Sequence, residues 1–315
     1  MSGVVSGFTV IFIVVGAGYV LGRTRVLGDS AHEVLSRLVF FVCTPALLFH
    51  ALVTSELSVI FSKTLVIAGG SAFAIGIIYV ITARLWLRRA VPELAIGGLA
   101  SSYVNSVNLG LPIAIFVLDD ASFIAPLLLF QILIYSPIAL ITLDVTVTDP
   151  VLGRASRAAA MRDAVVAPLT NPIVLGGVAG LIVSALGLQP PAAILEPVDM
   201  LGNASVPCAL LAFGLSLTGA AVFKKGESPR RDIALACVLK IVAMPLLAYA
   251  IARWGFGETG HELFAQVVIA ALPTAQNVLV YATRYRRAQI MARDTTLLTT
   301  LGSVPAIAVI ALLLA

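Results

Sequence analysis

The chain has 315 residues, of which 60% are hydrophobic and 11% are charged, and its formal net charge is +4. Soluble domains carry roughly 25% charged residues, so this composition excludes an ordinary soluble enzyme and indicates a chain that lies largely in lipid. The small positive charge does not indicate nucleic-acid binding, because the basic residues form short clusters between apolar segments. The three cysteines lie inside apolar segments without metal-ligand spacing, so we predict structural thiols and no metal site.

Apolar segments recur from one end of the chain to the other, and each is long enough, at about 20 residues, to cross a membrane. The first segment has no basic stretch before it and no small-residue cleavage site after it, so we interpret it as a spanning helix rather than a signal peptide. We predict an all-α membrane protein with ten transmembrane helices: 4–22, 34–53, 63–86, 94–118, 122–147, 169–188, 198–220, 231–253, 262–283 and 295–314.

The loops between these helices alternate in charge. All of the 20 Lys and Arg residues except Lys63, Lys240 and Arg253 lie in or beside one set of loops. The opposite loops carry the acidic residues Glu56, Asp119, Asp120, Glu196, Asp199, Glu258 and Glu262. By the positive-inside rule, both termini lie outside the inner (plasma) membrane, and the 148–168 connection lies in the cytoplasm.

The 148–168 connection divides the chain into two halves, 1–147 and 169–315, with five predicted helices each. Proline segments recur in the two halves at similar separations: "CTPALLF" with "SVPCALL", Pro112 with Pro273, and "YSPIAL" with "SVPAIAV". Because each half has an odd number of helices, the second copy would insert upside down relative to the first, as in many secondary transporters. We therefore predict two inverted five-helix repeats joined by a cytoplasmic linker.

The fourth predicted helix, "SSYVNSVNLGLPIAIFVL", carries polar residues where a membrane helix tolerates them least. Pro112 lacks an amide hydrogen and clashes with the carbonyl of Asn108, while Gly110 relaxes the backbone beside it, so we expect the helix to break near 105–112. Asn105 and Asn108 are three residues apart and therefore share one helix face. Their amide groups would point into a cavity.

The ninth predicted helix, "IAALPTAQNVLVYA", contains a second interruption at the corresponding place in the other half. Paired interruptions of this kind indicate a transporter's substrate site near the middle of the membrane. A half-helix that begins there offers unpaired amides and a partial positive charge to a carboxylate. The predicted substrate-binding residues are Asn105, Asn108, Gly110, Pro112, Pro273, Thr274, Gln276 and Asn277.

Three further residues are weaker candidates for this site. Lys240 lies well inside a predicted helix and could act as a counter-ion for the substrate or as a substitute for a coupling cation, although it could also reach the cytoplasmic surface by snorkelling. His50 could couple transport to protons, but a packing histidine is favoured. Gln131 lies on the fifth helix, one face of which should meet the cavity.

No catalytic constellation is present: the chain lacks HExxH, a Walker loop, and GxSxG with a suitable histidine partner. We therefore predict a carrier that is driven by gradients, not an enzyme, and no cofactor. Coupling to H⁺ or Na⁺ stays open. A channel would need a continuous polar stripe along several helices, and the polar residues form isolated clusters instead.

Several segments resemble the auxin efflux carrier family, the plant auxin carriers and their bacterial relatives. "ASSYVNSVNLGLPIA" resembles the family's fourth helix at Asn105, Gly110 and Pro112. The last two helices are similar at the alanine-leucine-proline break, at the aromatic Tyr285 and in the threonine-rich "RDTTLLTTLGSVPAIAV". The second helix, "LSRLVFFVCTPALLFHAL", is similar to the family pattern at Arg37, Pro45, Phe49 and His50.

The resemblance implies the fold of bile acid sodium symporters, in which helices four and nine cross at their prolines and a scaffold domain accompanies a transport domain. It also implies a carrier of organic anions: auxin in plants, malate or malonate in bacteria. One bundle would move past the other in an elevator-like or rocking motion. The expected partners are a small carboxylate and the lipid bilayer, and a homodimer is left open.

The sequence departs from the plant members in two ways. The 148–168 linker is short, so control by kinases is not implied. Asn277 replaces a proline of the plant sequences, which favours a smaller or more polar carboxylate than auxin. Two alternatives keep the same fold: a sodium-coupled symporter of a bile-acid-like anion, and a sensor that binds a ligand without transporting it.

Overall fold

The computed structural model describes residues 2–53, 63–118, 123–146, 170–218 and 228–314. The predicted linker 148–168 lies outside the described residues. Within them the chain forms the helices α1 Ser2–Thr24, α2 Ala31–Val53, α3 Lys63–Leu85, α4 Val91–Ser102, α5 Ser106–Phe116, α6 125–146, α7 Pro172–Ala185, α8 Ala192–Ser216, α9 Arg230–Gly255, α10 Gly260–Ala271, α11 Asn277–Arg284 and α12 Gln289–Leu314. The described residues contain no β-strand and one isolated antiparallel bridge, between Val104 and Thr274.

Five of the described helices, α2, α3, α8, α9 and α12, are long and apolar enough to cross a membrane. Shorter apolar helices are formed by Thr9–Thr24 within α1, by α5 and by α7. The helices coincide with the ten predicted segments, and the fourth and ninth segments each form two helices. The expectation of an all-α chain is therefore confirmed for the described residues, whereas the number of membrane crossings and their inverted repeat stay predictions.

In α2, α5, α6 and α9 the helix widens into a π-helical turn just before a proline. The turns are Val39–Cys43 before Pro45, Ser106–Gly110 before Pro112, Gln131–Tyr135 before Pro137, and Leu239–Ala243 before Pro245. A proline ring normally clashes with the carbonyl four residues earlier. In all four cases that residue lies at the centre of the π turn, so the wider turn absorbs the clash and the helix continues.

The break in the fourth predicted helix lies at the N-terminal edge of the region that the sequence indicated. We expected it near 105–112 because of Pro112, and the structure shows that α4 ends at Ser102 and that residues 103–105 are not helical. Pro112 lies inside the continuous helix α5. In the ninth predicted helix the expectation is confirmed, since α10 ends at Ala271, α11 begins at Asn277, and Pro273 lies between them.

The chain divides into two compact units, each built from both halves of the sequence. The first unit comprises the described residues of Met1–Ser62, Ser106–Leu128 and Leu169–Ala220. In it α1 packs closely on α8, because glycines face backbone on both sides: a Cβ atom at Gly18 would overlap the Leu211 carbonyl, and one at Gly214 would overlap the Val15 carbonyl. The buried hydroxyls of Thr44 on α2 and Ser205 on α8 are 3.0 Å apart.

The second unit comprises the described residues of Lys63–Asn105, Leu129–Pro168 and Ala221–Ala315. It contains α3, α4, most of α6, and α9 to α12. Its interior is packed by large side chains such as Tyr79 on α3, which fits against Gly97 of α4 where a Cβ atom would overlap the ring. Both interruptions of the chain, at 103–105 and at 272–276, belong to this unit.

Candidate functional site

The two interrupted segments pair with each other inside the second unit. The amide of Asn105 donates to the Pro273 carbonyl at 2.9 Å, and the amide of Ala275 donates to the Tyr103 carbonyl at 3.0 Å. Val104 and Thr274 face each other in an antiparallel bridge. We call this paired backbone, residues 103–105 with 273–275, the crossing.

Side chains of neighbouring helices satisfy most of the backbone groups that the crossing releases. The Gln131 amide on α6 donates to the Val104 carbonyl at 3.0 Å. The Thr274 hydroxyl donates to the Ala100 carbonyl at 2.6 Å, and the Thr274 amide donates to the Thr299 hydroxyl on α12 at 3.1 Å. Buried backbone groups need such partners. The polar side chains here therefore stabilise the interrupted backbone inside an apolar interior.

The side chain of Lys240, on α9, contacts the last turn of α10, which directly precedes the crossing. Its side chain is 0% exposed, so the snorkelling that we considered from the sequence is wrong. The ammonium donates to the Ala270 carbonyl at 2.9 Å and contacts the Met244 sulfur at 3.2 Å. Among the described residues no carboxylate is a partner of this ammonium.

An aromatic and hydroxyl cluster lies beside the crossing on α6 and α11. The hydroxyl of Tyr103 is 2.8 Å from that of Ser136, to which Tyr281 also donates at 3.3 Å. Asn277 lies at the start of α11, and the ring of Tyr135 stacks on that of Tyr103 at 5.8 Å. Sequence patterns do not distinguish Tyr103, Ser136 or Thr299, because the partners of these residues are distant along the chain.

The predicted site residues divide between the two units. The second unit brings together Asn105, Gln131, Lys240, Pro273, Thr274, Gln276 and Asn277 at or next to the crossing. Asn105 is 4% exposed, whereas Gln276 is half-buried and Asn277 is exposed. Asn108, Gly110 and Pro112 lie on α5 and His50 on α2, all in the first unit. Substrate contact by any of these residues stays a prediction.

His50 has a partner within its own unit. Its Nδ1 atom is 3.6 Å from a carboxylate oxygen of Asp199 on α8. At this distance the two groups form an ion pair only when His50 is protonated. Both roles that the sequence leaves open for His50, packing and proton coupling, stay predictions.

An apolar, all-helical chain with two interrupted helices and a fully buried lysine has the characteristics of a membrane transport protein. A family model described as membrane transport protein matches residues 4–152 and 153–311. The chain belongs to this family, that of the auxin efflux carriers, and the resemblance seen in the sequence is confirmed. It is accordingly an integral membrane protein that acts in transport.

A protein of Rhizobium meliloti (strain 1021), whose name gives malonate transport as its proposed activity, is similar to the chain. The two are 26% identical over 294 residues, which cover 91% of this chain and 88% of the relative. The similarity thus extends over nearly the full length of both proteins.

Proposed function

We propose that the chain is a secondary transporter of a small organic carboxylate, working by alternating access with the substrate at the crossing. Malonate and malate are the first candidates, and an auxin-like acid is a further one. The observation that carries this proposal is Lys240, a buried ammonium next to the crossing whose described hydrogen-bond partners include no carboxylate.

A buried charge without a counter-charge is unfavourable by several kcal/mol. An anion that binds at the crossing would supply the counter-charge, and at an effective dielectric constant near 20 two opposite charges about 4 Å apart attract by about 4 kcal/mol. The amides of Asn105, Gln276 and Asn277 would donate hydrogen bonds to the carboxylate oxygens. A second carboxylate would find the hydroxyls around Ser136, which supports a dicarboxylate substrate.

The position of Lys240 also bears on coupling. Its ammonium binds a carbonyl oxygen released at the end of α10, and released carbonyls of this kind bind Na⁺ in other broken-helix transporters. We therefore propose transport that does not require Na⁺. A sodium-coupled symporter is the alternative, and a non-transporting sensor is a second one.

Counterflow of radiolabelled malonate into proteoliposomes tests the proposal. Lys240→Met removes the charge and keeps a long apolar side chain, while Lys63→Met removes an exposed charge from the same unit and is the matched control. We expect the wild type and Lys63→Met to accumulate label without Na⁺. Lys240→Met should be slower by about tenfold or more, since about 1.4 kcal/mol of lost attraction corresponds to tenfold. Size-exclusion profiles and thermal midpoints of all three proteins in detergent show whether they are folded.

Undiminished counterflow in folded Lys240→Met would contradict the role of the lysine. Counterflow only in the presence of Na⁺ would replace the proposal with the sodium symporter. Thermal stabilisation by malonate or malate without any counterflow would identify a sensor.

A further inference from the structure

Two helices of the second unit end in the same tripeptide, Arg-Arg-Ala, at residues 88–90 after α3 and 286–288 after α11. In both, the first arginine adopts a left-handed backbone conformation, with φ of 52° at Arg88 and at Arg286. A residue with a Cβ atom rarely adopts this conformation. In both places this residue lies shortly after the end of the helix.

The second arginine of each tripeptide is bound to the unit itself. Arg89 donates to both carboxylate oxygens of Asp232 at the start of α9, at 2.8 and 2.7 Å. These hydrogen bonds raise the pKa of the Arg89 guanidinium above its usual range. Arg287 lies 3.7 Å from Glu93 at the start of α4. The ion pairs therefore join the ends of α3, α4, α9 and α11 in one surface.

The carboxylates that the structure describes at this end of the second unit have partners. Besides Asp232 and Glu93, the buried Asp294 accepts from Ser228 at 2.9 Å and from Arg293 at 2.9 Å. The remaining described arginines at this end are exposed, and none has an ion-pair partner among the described residues: Arg84, Arg88, Arg230, Arg231 and Arg286. Arg84 donates to the Arg89 carbonyl. Among the described residues, this end thus carries a concentrated positive charge without acidic partners.

The exposed apolar residues at the end of α3 indicate where these arginines lie relative to a membrane. The apolar helix ends at Leu85, which is 67% exposed, and is followed by Trp86, which is 81% exposed. Exposed tryptophans characteristically lie at the membrane-water interface. Arg88 follows two residues later in the chain, on the side of Trp86 away from the apolar helix. An arginine guanidinium binds a phosphate with two parallel hydrogen bonds.

We propose that Arg88, Arg286, Arg230 and Arg231 form a binding site for the headgroup phosphates of anionic phospholipids. In each Arg-Arg-Ala turn the first arginine binds lipid and the second binds protein. A soluble phosphate has the same charge, but the exposed Leu85 and Trp86 beside the arginines favour a molecule with acyl chains. The inference does not depend on the proposed substrate.

The test compares the full chain in nanodiscs of phosphatidylcholine with and without phosphatidylglycerol. Phosphatidylglycerol should raise the thermal midpoint of the wild type, and native mass spectrometry should detect retained phosphatidylglycerol. Arg88→Gln/Arg286→Gln should lose most of this increase and bind the lipid about 30-fold more weakly, since each surface cation contributes roughly a fivefold gain. Its midpoint in pure phosphatidylcholine should be unchanged, which shows that the variant folds.

Two controls separate lipid binding from folding. Arg89→Gln should lower the midpoint in both lipids and leave the phosphatidylglycerol increase intact. Arg253→Gln, at the opposite end of α9, should resemble the wild type. The proposal is overturned if phosphatidylglycerol does not stabilise the wild type, if the double variant keeps the full increase, or if inorganic phosphate in pure phosphatidylcholine produces the same increase at equal ionic strength.

Discussion

At the scale of single residues, two threonines of α12 show that the role of a buried hydroxyl depends on its hydrogen-bond partner. Thr295 and Thr299 are one turn apart, and both are 0% exposed. The Thr299 hydroxyl accepts from the Thr274 amide of the crossing and donates to the Thr295 carbonyl at 2.8 Å. The Thr295 hydroxyl has no hydrogen-bond partner among the described residues. A threonine hydroxyl thus holds the crossing at position 299, whereas at position 295 it makes no hydrogen bond with the described residues.

Replacing Thr299 with Val should destabilise the protein by about 1 to 3 kcal/mol, because the substitution leaves the buried Thr274 amide without an acceptor. Thr295→Val is the matched control and should change stability by less than about 0.5 kcal/mol. Thermal unfolding in detergent measures both, and Thr299→Ser should restore most of the loss. Equal effects of the two valine substitutions would contradict the role given to Thr299.

The candidate site was predictable from the sequence only in part, for reasons visible at this scale. Asn105, Gln131, Pro273 and Thr274 stood out because polar residues and proline are rare in apolar helices, and the structure does place them at the crossing. Their hydrogen bonds were not predictable, since each partner comes from another helix. In the sequence Thr299 cannot be told from the neighbouring threonines; only its hydrogen bond from the Thr274 amide distinguishes it.

At the scale of helices, a proline in the sequence indicates a disturbed turn but not whether the helix breaks there. A proline disturbs the turn before it, but whether the helix stops or widens depends on what can satisfy the released groups. At Pro273 the opposite segment supplies a bridge and the chain breaks, whereas at Pro112 a π turn suffices. The sequence therefore identified both disturbed segments, but in the fourth predicted helix the break begins several residues before the proline.

Close helix packing in the first unit makes a second testable contrast. Gly18→Ala should destabilise the protein by about 1 to 3 kcal/mol, because the new methyl group must push α1 away from the Leu211 carbonyl of α8. Gly16→Ala on the same helix meets nothing within 4 Å and should be neutral within about 0.5 kcal/mol. Denaturation midpoints of the two variants in the same detergent decide the matter. A neutral Gly18→Ala would mean that the helices have room to spare.

At the scale of the whole molecule, the order of the helices along the chain does not predict which helices pack together. The sequence indicated two consecutive five-helix repeats, which stay a prediction, and it did not indicate which helices form each compact unit; each unit takes described residues from both halves. Which helices pack together follows from complementary surfaces, such as Gly18 against Leu211, which single-sequence patterns do not reveal. The charge pattern of the loops, in contrast, depends only on local composition and makes a prediction about orientation.

We propose that both termini lie outside the inner membrane and that the 148–168 linker is cytoplasmic, as the distribution of arginines and acids favours. A variant with Cys43, Cys208 and Cys237 replaced by Ala provides the background for single cysteines. A membrane-impermeant maleimide should label Arg157→Cys only after cells are opened. Glu196→Cys, which is exposed near the start of α8, should be labelled in intact cells. The reverse pattern would invert the topology.

The paired backbone at the crossing also constrains how such a molecule could have arisen. Its hydrogen bonds join residues 103–105 of one half of the chain to residues 273–275 of the other. If the two halves are the five-helix repeats that the sequence predicts, a single ancestral repeat would have had no such complement for its interrupted segment. Two separate copies would then have associated before their fusion into one gene, and a descendant with only one half would need to form a dimer.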